Sequence, residues 1–558
     1  MMRLSRGKGG GVLLWLVPLV PTLLLFYVPL LAILTEGFSS SGSEAGSFAL
    51  VDVFSRPATW RVVGFTLWQA LVSTVISLAL GLPGAWLLGR GEFKGKRFLK
   101  ALTAIPFVLP SILVVLAFVI FYGNSGVLNR FLMDLMETRR PPLPILYSFT
   151  AIILAHAFYN FPLAARLIGS FWERHNPGPA LAARTLGAGP IRTFFTITLP
   201  GLMPAILSAG CIIYLFCFMS FAIVLVLGGG PRYTTLEVEI YRSARISLDL
   251  PLAASLSVVG AALTLAMLGL SVTMQHKASH RGQARVRYGG RLPSGSLERF
   301  LWSGYIALVG LVVASPLLAL MVRSFLRKPT RSGAAIWTTH WYEQLFASAG
   351  TSLSLTAVSN SLTFAGLTVC VALPLGMVAA WVTTRRVTWL SRFGETLMML
   401  PMGVSSVVLG LGYFKCITLW FPEYSGSRLV VVAAHVVVTY PFVLRSVSAS
   451  LKRIPASVPQ ASRTLGAGPF ATFFRVELPM IRSGLVAGAC FAFALSMGEI
   501  NATLILSGPD TLTIPLALYR LIGTYKFFAA CALGAILMVI CVACFLLIEW
   551  MGGSSHDP

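Results

Sequence analysis

The sequence predicts an all-α membrane protein with about twelve transmembrane helices, set out as two tandem six-helix repeats that run in parallel. Composition is the first observation: 56% of the 558 residues are hydrophobic and 11% are charged, where soluble domains carry about 45–50% and about 25%. Second, apolar runs of about 20–28 residues, long enough for roughly 30 Å of hydrocarbon, recur from end to end. Third, a motif in the first half returns in the second after 279 residues, half the chain. A mean hydropathy of +0.80 leaves no room for a sizeable soluble domain. The formal charge of +24 lies in short loops between apolar runs, which membrane topology explains and nucleic-acid binding does not.

In chain order the runs fall at about 12–35, 63–89, 101–122, 149–172, 202–228 and 251–274, then 300–323, 353–384, 394–420, 428–450, 483–507 and 525–550. The first follows Arg3, Arg6 and Lys8 but is longer than a signal-peptide core and has no small-x-small cleavage site after it, so it reads as an uncleaved anchor. With that basic tip inside, every loop after an even-numbered span is cytoplasmic, and both termini are too. Those loops hold Arg90, Lys94, Lys96, Arg97 and Lys100, and Arg385, Arg386 and Arg392, as the positive-inside rule asks. Arg323, Arg327, Lys328 and Arg331 dissent, falling outside on this reading. The eight cysteines all lie in apolar runs without metal-like spacing and read as small core residues.

A basic stretch at 275–299, rich in Arg, Gly and Ser, reads as a cytoplasmic linker between a first unit, 1–274, and a second, 300–558. Self-comparison supports that division. Arg184-Thr-Leu-Gly-Ala-Gly-Pro190 recurs as Arg463-Thr-Leu-Gly-Ala-Gly-Pro469, and both copies run on to a Leu-Pro pair at Pro200 and Pro479. The same displacement carries His156 to His435, Pro162 to Pro441 and Arg166 to Arg445. Earlier in each half the displacement is 295, taking Trp86 to Trp381 and Arg90 to Arg385, so the first half has about 16 extra residues near 123–148, in an external loop. An even number of spans per repeat gives both copies the same orientation, with a pseudo-symmetry axis along the membrane normal.

Each copy of the repeated loop has a helix-forming lead, a Gly-Ala-Gly-Pro break and a second short amphipathic piece. Gly and Pro end the first helix, because one frees the backbone and the other lacks an N–H and clashes with the preceding turn. The expected outcome is two short helices lying across the cytoplasmic face. Phe194, Phe195, Phe473 and Phe474 put apolar area on this wet loop, which suggests docking.

The loop resembles the conserved cytoplasmic loop of binding-protein-dependent ABC importer permeases, whose pattern is Glu-Ala-Ala, three residues, Gly, and a later Leu-Pro. Leu181, Ala182, Ala183 and Gly187 match in the first copy, and Gln460, Ala461, Ser462 and Gly466 in the second; the leading Glu is absent from both. The resemblance implies two fused permease units of an ABC importer. It also implies coupling helices, formed here by Ala182, Ala183, Gly187, Ala188, Gly189 and Pro190 and by Ala461, Ser462, Gly466, Ala467, Gly468 and Pro469. Each would insert into a cleft on one of two copies of an ATPase subunit, and the missing Glu removes a specific ion pair, not the docking. Met219 to Pro231, Thr234 to Tyr241, Leu495 to Glu499 and Ile514 to Tyr519 are similar to the thiamine importer permeases, with the ferric-iron permeases as neighbours that these segments do not separate.

No catalytic constellation appears. Arg90-Gly-Glu-Phe-Lys-Gly-Lys-Arg97 has Arg where a phosphate loop needs its first Gly and Arg where it needs Ser or Thr. The chain is thus read as a transport subunit without a cofactor, in bacterial inner-membrane lipid, with ATP and Mg held by the partner ATPases and solute delivered by an extracytoplasmic binding protein. Glu499, an acid inside an apolar run, is a candidate for the substrate path; pairing with a basic residue at its span end is the equal alternative. Asn501 and Asn160 are weaker candidates, since buried amides commonly bond neighbouring helices. His156 and His435, as symmetry mates, read as shared packing. Two rivals from other classes are a stand-alone secondary transporter, which leaves the duplicated loop unexplained, and a channel, for which no charged ring is visible.

Overall fold

The computed structural model describes residues 8–38, 53–93, 95–96, 99–100, 103, 106, 109–281, 295–327, 336–347, 355–385 and 389–553. Ten of its helices are long and apolar enough to cross a membrane, and two further bent pairs bring the number to twelve. They are Leu14–Gly37, Pro57–Arg90, Ser111–Leu135, Phe149–Arg174, Pro190–Phe218 and Leu250–Ser271 in the first repeat. The second has Ser296–Ser324, Leu355–Arg385, the pair Phe393–Gly403 with Ser406–Trp420, Arg428–Leu451, the pair Pro469–Met480 with Arg482–Gly498, and Phe527–Leu547. Every predicted run coincides with one of these.

Differences lie in how the spans end and bend. The ninth turns by 96° at Gly403–Ser405, where Pro401 removes an N–H and the Ser405 hydroxyl accepts from Val407 N at 3.1 Å to start a new helix. Runs five and eleven, expected to be unbroken to 228 and 507, stop at Phe218 and Gly498 and resume as short helices, Ala222–Leu227 and Asn501–Leu506. The third span is a described helix from Ser111, behind Pro110; most of 101–108 lies outside the described residues. Of the expected linker, 282–294 lie outside them as well, while the sixth helix continues to Arg281 and the seventh opens at Ser296. The extra residues of the first half include the last part of the third span, a separate helix Val127–Leu135 that follows Ser111–Tyr122 and is tied by Asn129 to the carbonyls of Gly123 and Leu143.

The chain forms two compact units that do not follow the sequence halves. One comprises Val53–Glu239 and Ala262–Trp337, so the seventh span packs with the first repeat. Here Tyr305 donates to the Leu80 carbonyl at 3.1 Å, and Trp302 meets Trp86 edge-on with centroids 5.0 Å apart. The second and fourth spans lie so close that a Cβ on Gly89 would sit 2.6 Å from the Gly169 carbonyl. Small residues permit such approaches between membrane helices, where packing and not water exclusion drives association.

The other unit comprises Met1–Asp52, Ile240–Ala261 and Thr338–Pro558, so the first span packs with the second repeat. Tyr440 donates to the Met398 carbonyl at 2.6 Å and accepts from Thr22, Tyr413 donates to the Leu25 carbonyl at 2.6 Å, and Lys415 pairs with Glu36. In a medium without water each bond spares a polar group from going unsatisfied.

Candidate functional site

The repeated loop has the same geometry in both copies. The first short helix is Gly178–Thr185 in one and Ser457–Thr464 in the other. Ala188 N donates to the Ala183 carbonyl and Gly187 N to the Arg184 carbonyl, at 3.0 and 3.1 Å; Ala467 to Ser462 and Gly466 to Arg463 repeat the pattern at 3.1 and 3.0 Å. This pair of bonds is the Schellman ending, which needs a left-handed residue at its turn. Gly187 has φ +87° and Gly466 φ +86°, so glycine is there for backbone reasons alone: a Cβ on either would touch nothing within 4 Å. Gly189 and Gly468 follow in extended conformation.

The second piece differs from expectation. In the first copy Pro190 opens a helix that continues through a wide turn, Phe194–Thr198, into the fifth span, instead of forming a separate helix. Pro200 explains the wide turn, since it cannot donate and its ring crowds the carbonyl four residues back. The second copy has the same wide turn at Phe473–Glu477 ahead of Pro479, and then bends by 73° at Ile481.

The exposed apolar residues of the loop are only partly those the sequence pointed to: Phe195 and Phe474 are among them, and Phe194 and Phe473 are not. Phe194 stacks on Trp172 and Phe473 packs edge-on to Trp381, both facing inward. The exposed set is Leu186, Ile191 and Phe195, and, 279 residues on, Leu465, Phe470 and Phe474. Leu186 and Leu465 are each 88% exposed, directly before the left-handed glycine. Comparing the two copies for matching apolar residues beside Gly187 and Gly466 would have found them. Gly178–Thr185 has no buried residue, so Ala182 and Ala183 lie on an uncovered helix. In the second copy Ser462 bonds Thr472 at 3.2 Å and so braces the two pieces.

Glu499 and Asn501 are brought together at the break in the eleventh span. The Glu499 Oε1 accepts from Ala502 N at 3.0 Å and thus caps the short helix Asn501–Leu506, while Asn501 Nδ2 donates to Ser406 Oγ at 3.0 Å on the ninth span. Among the described residues no basic side chain pairs with Glu499. Close by, His435 bonds Ser496 and Thr503 at 2.8 Å each, and Thr503 bonds the Glu499 carbonyl at 3.0 Å.

Asn160 belongs to the other unit, where its Nδ2 donates to the His156 carbonyl at 2.9 Å and approaches Cys217 Sγ at 3.4 Å. His156 bonds Ser73 at 3.0 Å, and both symmetry-related histidines are 1% exposed, as packing residues are. The second copy satisfies both ring nitrogens. In the first, His156 Nε2 has no partner, because Val224 stands where the second copy has Thr503, and Asn160 Oδ1 has none either.

Twelve apolar helical segments in two copies, each with an uncovered glycine-turned loop before its fifth span, define a duplicated membrane permease core. Residues 81–285 and 372–552 match the family described as "Binding-protein-dependent transport system inner membrane component", and the chain belongs to that family. It is accordingly a multi-pass inner-membrane permease subunit of an ABC importer, with two fused copies of the family's unit. The matched stretches begin inside the second and eighth spans, so the spans that pack with the opposite repeat, the first and seventh, lie outside them. The chain is 29% identical over 534 residues to the thiamine transport system permease protein of Brucella abortus (strain 2308), covering 94% of this chain and 93% of that one. To its Escherichia coli K12 counterpart it is 28% identical over 550 residues, with 97% of each covered. The ferric transport system permease protein of Actinobacillus pleuropneumoniae is 24% identical over 550 residues, covering 96% of this chain and 78% of that one.

Proposed function

We propose that this permease imports thiamine, driven by two copies of an ATPase subunit that bind ATP and Mg on the cytoplasmic side, one under each repeated loop. An extracytoplasmic binding protein delivers the solute, and both termini are cytoplasmic. The observation that carries the solute assignment is likeness to thiamine permeases along 97% of both chains. Glu499 supports it chemically, because a carboxylate at a break in a span suits the permanent cation of a thiazolium ring. Asn501 holds that break to the ninth span through Ser406, and Asn160 is the amide proposed to line the path in the other unit.

Coupling is mechanical on this reading. Closure of the ATPases moves the two short helices, and the loops pass that movement to the fifth spans, with which the first copy is continuous. Gly187 and Gly466 fix the turn that presents Leu186 and Leu465. The test is ATP hydrolysis by the reconstituted complex, with binding protein loaded with thiamine or ferric iron. Stimulation by thiamine alone supports the assignment; stimulation by iron alone moves the chain to the ferric class, and Glu499→Gln uptake kinetics equal to wild type would remove Glu499 from the path.

A further inference from the structure

The two repeats treat the inner end of their second helix differently. In the second repeat Glu477, 3% exposed, accepts from Trp381 Nε1 at 2.9 Å through one oxygen and lies 2.8 Å from Arg385 Nη2 through the other. Its carboxylate fastens the end of the eighth span to the wide turn that follows the repeated loop. The first repeat keeps the donors, Trp86 and Arg90, but has Thr198 in place of the acid. A cavity of about 300 Å³ lies there, lined by Trp86, Arg90, His175, Arg184 and Thr198 among others, with no Asp or Glu in its wall. Arg90 also donates to the His175 carbonyl at 2.5 Å, so its head is held at the cavity. Burial, and after it the Arg90 charge, hold the His175 ring below the usual histidine range.

We propose that this cavity binds a phosphate group, which takes the place that the Glu477 carboxylate fills in the second repeat. Guanidinium forks match the planar spacing of carboxylate and phosphate oxygens alike, so Arg90 and Arg184 suit the substitute, and the Trp86 indole offers a further donor. The bound group fastens the Gly178–Thr185 helix and the Phe194–Thr198 turn to the end of the second span, tightening the first loop only when the anion is present. Its source is either free inorganic phosphate or the headgroup of an anionic phospholipid.

The test measures thermal unfolding of the full-length chain in zwitterionic nanodiscs at fixed ionic strength. Inorganic phosphate is titrated in one arm, and phosphatidylglycerol replaces part of the lipid in the other. One arm is expected to give a saturable rise in Tm of about 2–4 °C, and which arm responds identifies the source. Thr198→Glu supplies an internal carboxylate, so its Tm should start higher and its response to the anion should vanish. Arg184→Gln, remote from the helix core, should need about tenfold more anion for the same rise. No response in either arm of the wild type, or an unchanged response in Thr198→Glu or Arg184→Gln, overturns the proposal.

Discussion

Replacing Gly187 or Gly189 by alanine separates backbone geometry from space in the repeated loop. Neither Cβ would touch anything within 4 Å, so steric crowding is absent at both sites. Their backbones differ: Gly187 has φ +87°, while Gly189 has φ −63°, which any residue adopts. A left-handed alanine costs roughly 1–2 kcal/mol. The loop bearing Gly187→Ala therefore relaxes out of its Schellman turn and must be driven back when the ATPase docks. Docking through that loop should weaken by a factor of about 5–30, and Gly189→Ala should leave it within about twofold. Gly187→Asn should fall between, since asparagine tolerates the left-handed region better than alanine. The assay is biolayer interferometry of the ATPase subunit on nanodiscs holding the chain, with Gly466 made Ala throughout to isolate the first loop. Equal weakening by Gly187→Ala and Gly189→Ala, or none by either, would refute the argument that the turn presents the docking surface.

Other expectations follow from single contacts. Glu477→Gln leaves the largely buried Arg385 without its counter-charge, and loss of one partner of a buried pair costs about 3–5 kcal/mol; a lower Tm that high salt does not restore is expected in thermal unfolding. Tyr440→Phe removes the 2.6 Å bond to the Met398 carbonyl and should destabilise by about 1 kcal/mol, measured by urea or heat in detergent. Glu499→Ala should lower uptake in proteoliposomes while assembly and basal ATP hydrolysis persist; loss of assembly would show a structural role instead.

Much of the fold was legible because a 30 Å apolar slab demands long apolar runs, and the residues that end them are visible in the sequence. The exchange of the first and seventh spans was not, since Thr22, Tyr305 and Trp302 carry no mark of which bundle they will meet. Hydropathy also passes over breaks: Leu495 to Leu506 reads as one apolar stretch, and only the Glu499 side chain capping Ala502 N shows where the helix restarts. At the repeated loop the motif marked Gly187 and Gly466 correctly as turn residues. It pointed to all four phenylalanines as surface, whereas Phe194 and Phe473 are drawn inward by Trp172 and Trp381 across helix ends far apart in sequence. Leu186 and Leu465 went unremarked because a lone leucine in a helix looks like core until its turn is built.

Native mass spectrometry of the chain with its ATPase tests most directly that each repeated loop docks one ATPase subunit. Leu186 and Leu465 are exposed at equivalent turns, so aspartate at either should eject one subunit without disturbing the bundle. Wild type should carry two ATPase copies, Leu186→Asp and Leu465→Asp one each, and the double variant none. Two copies retained by the double variant would contradict the account.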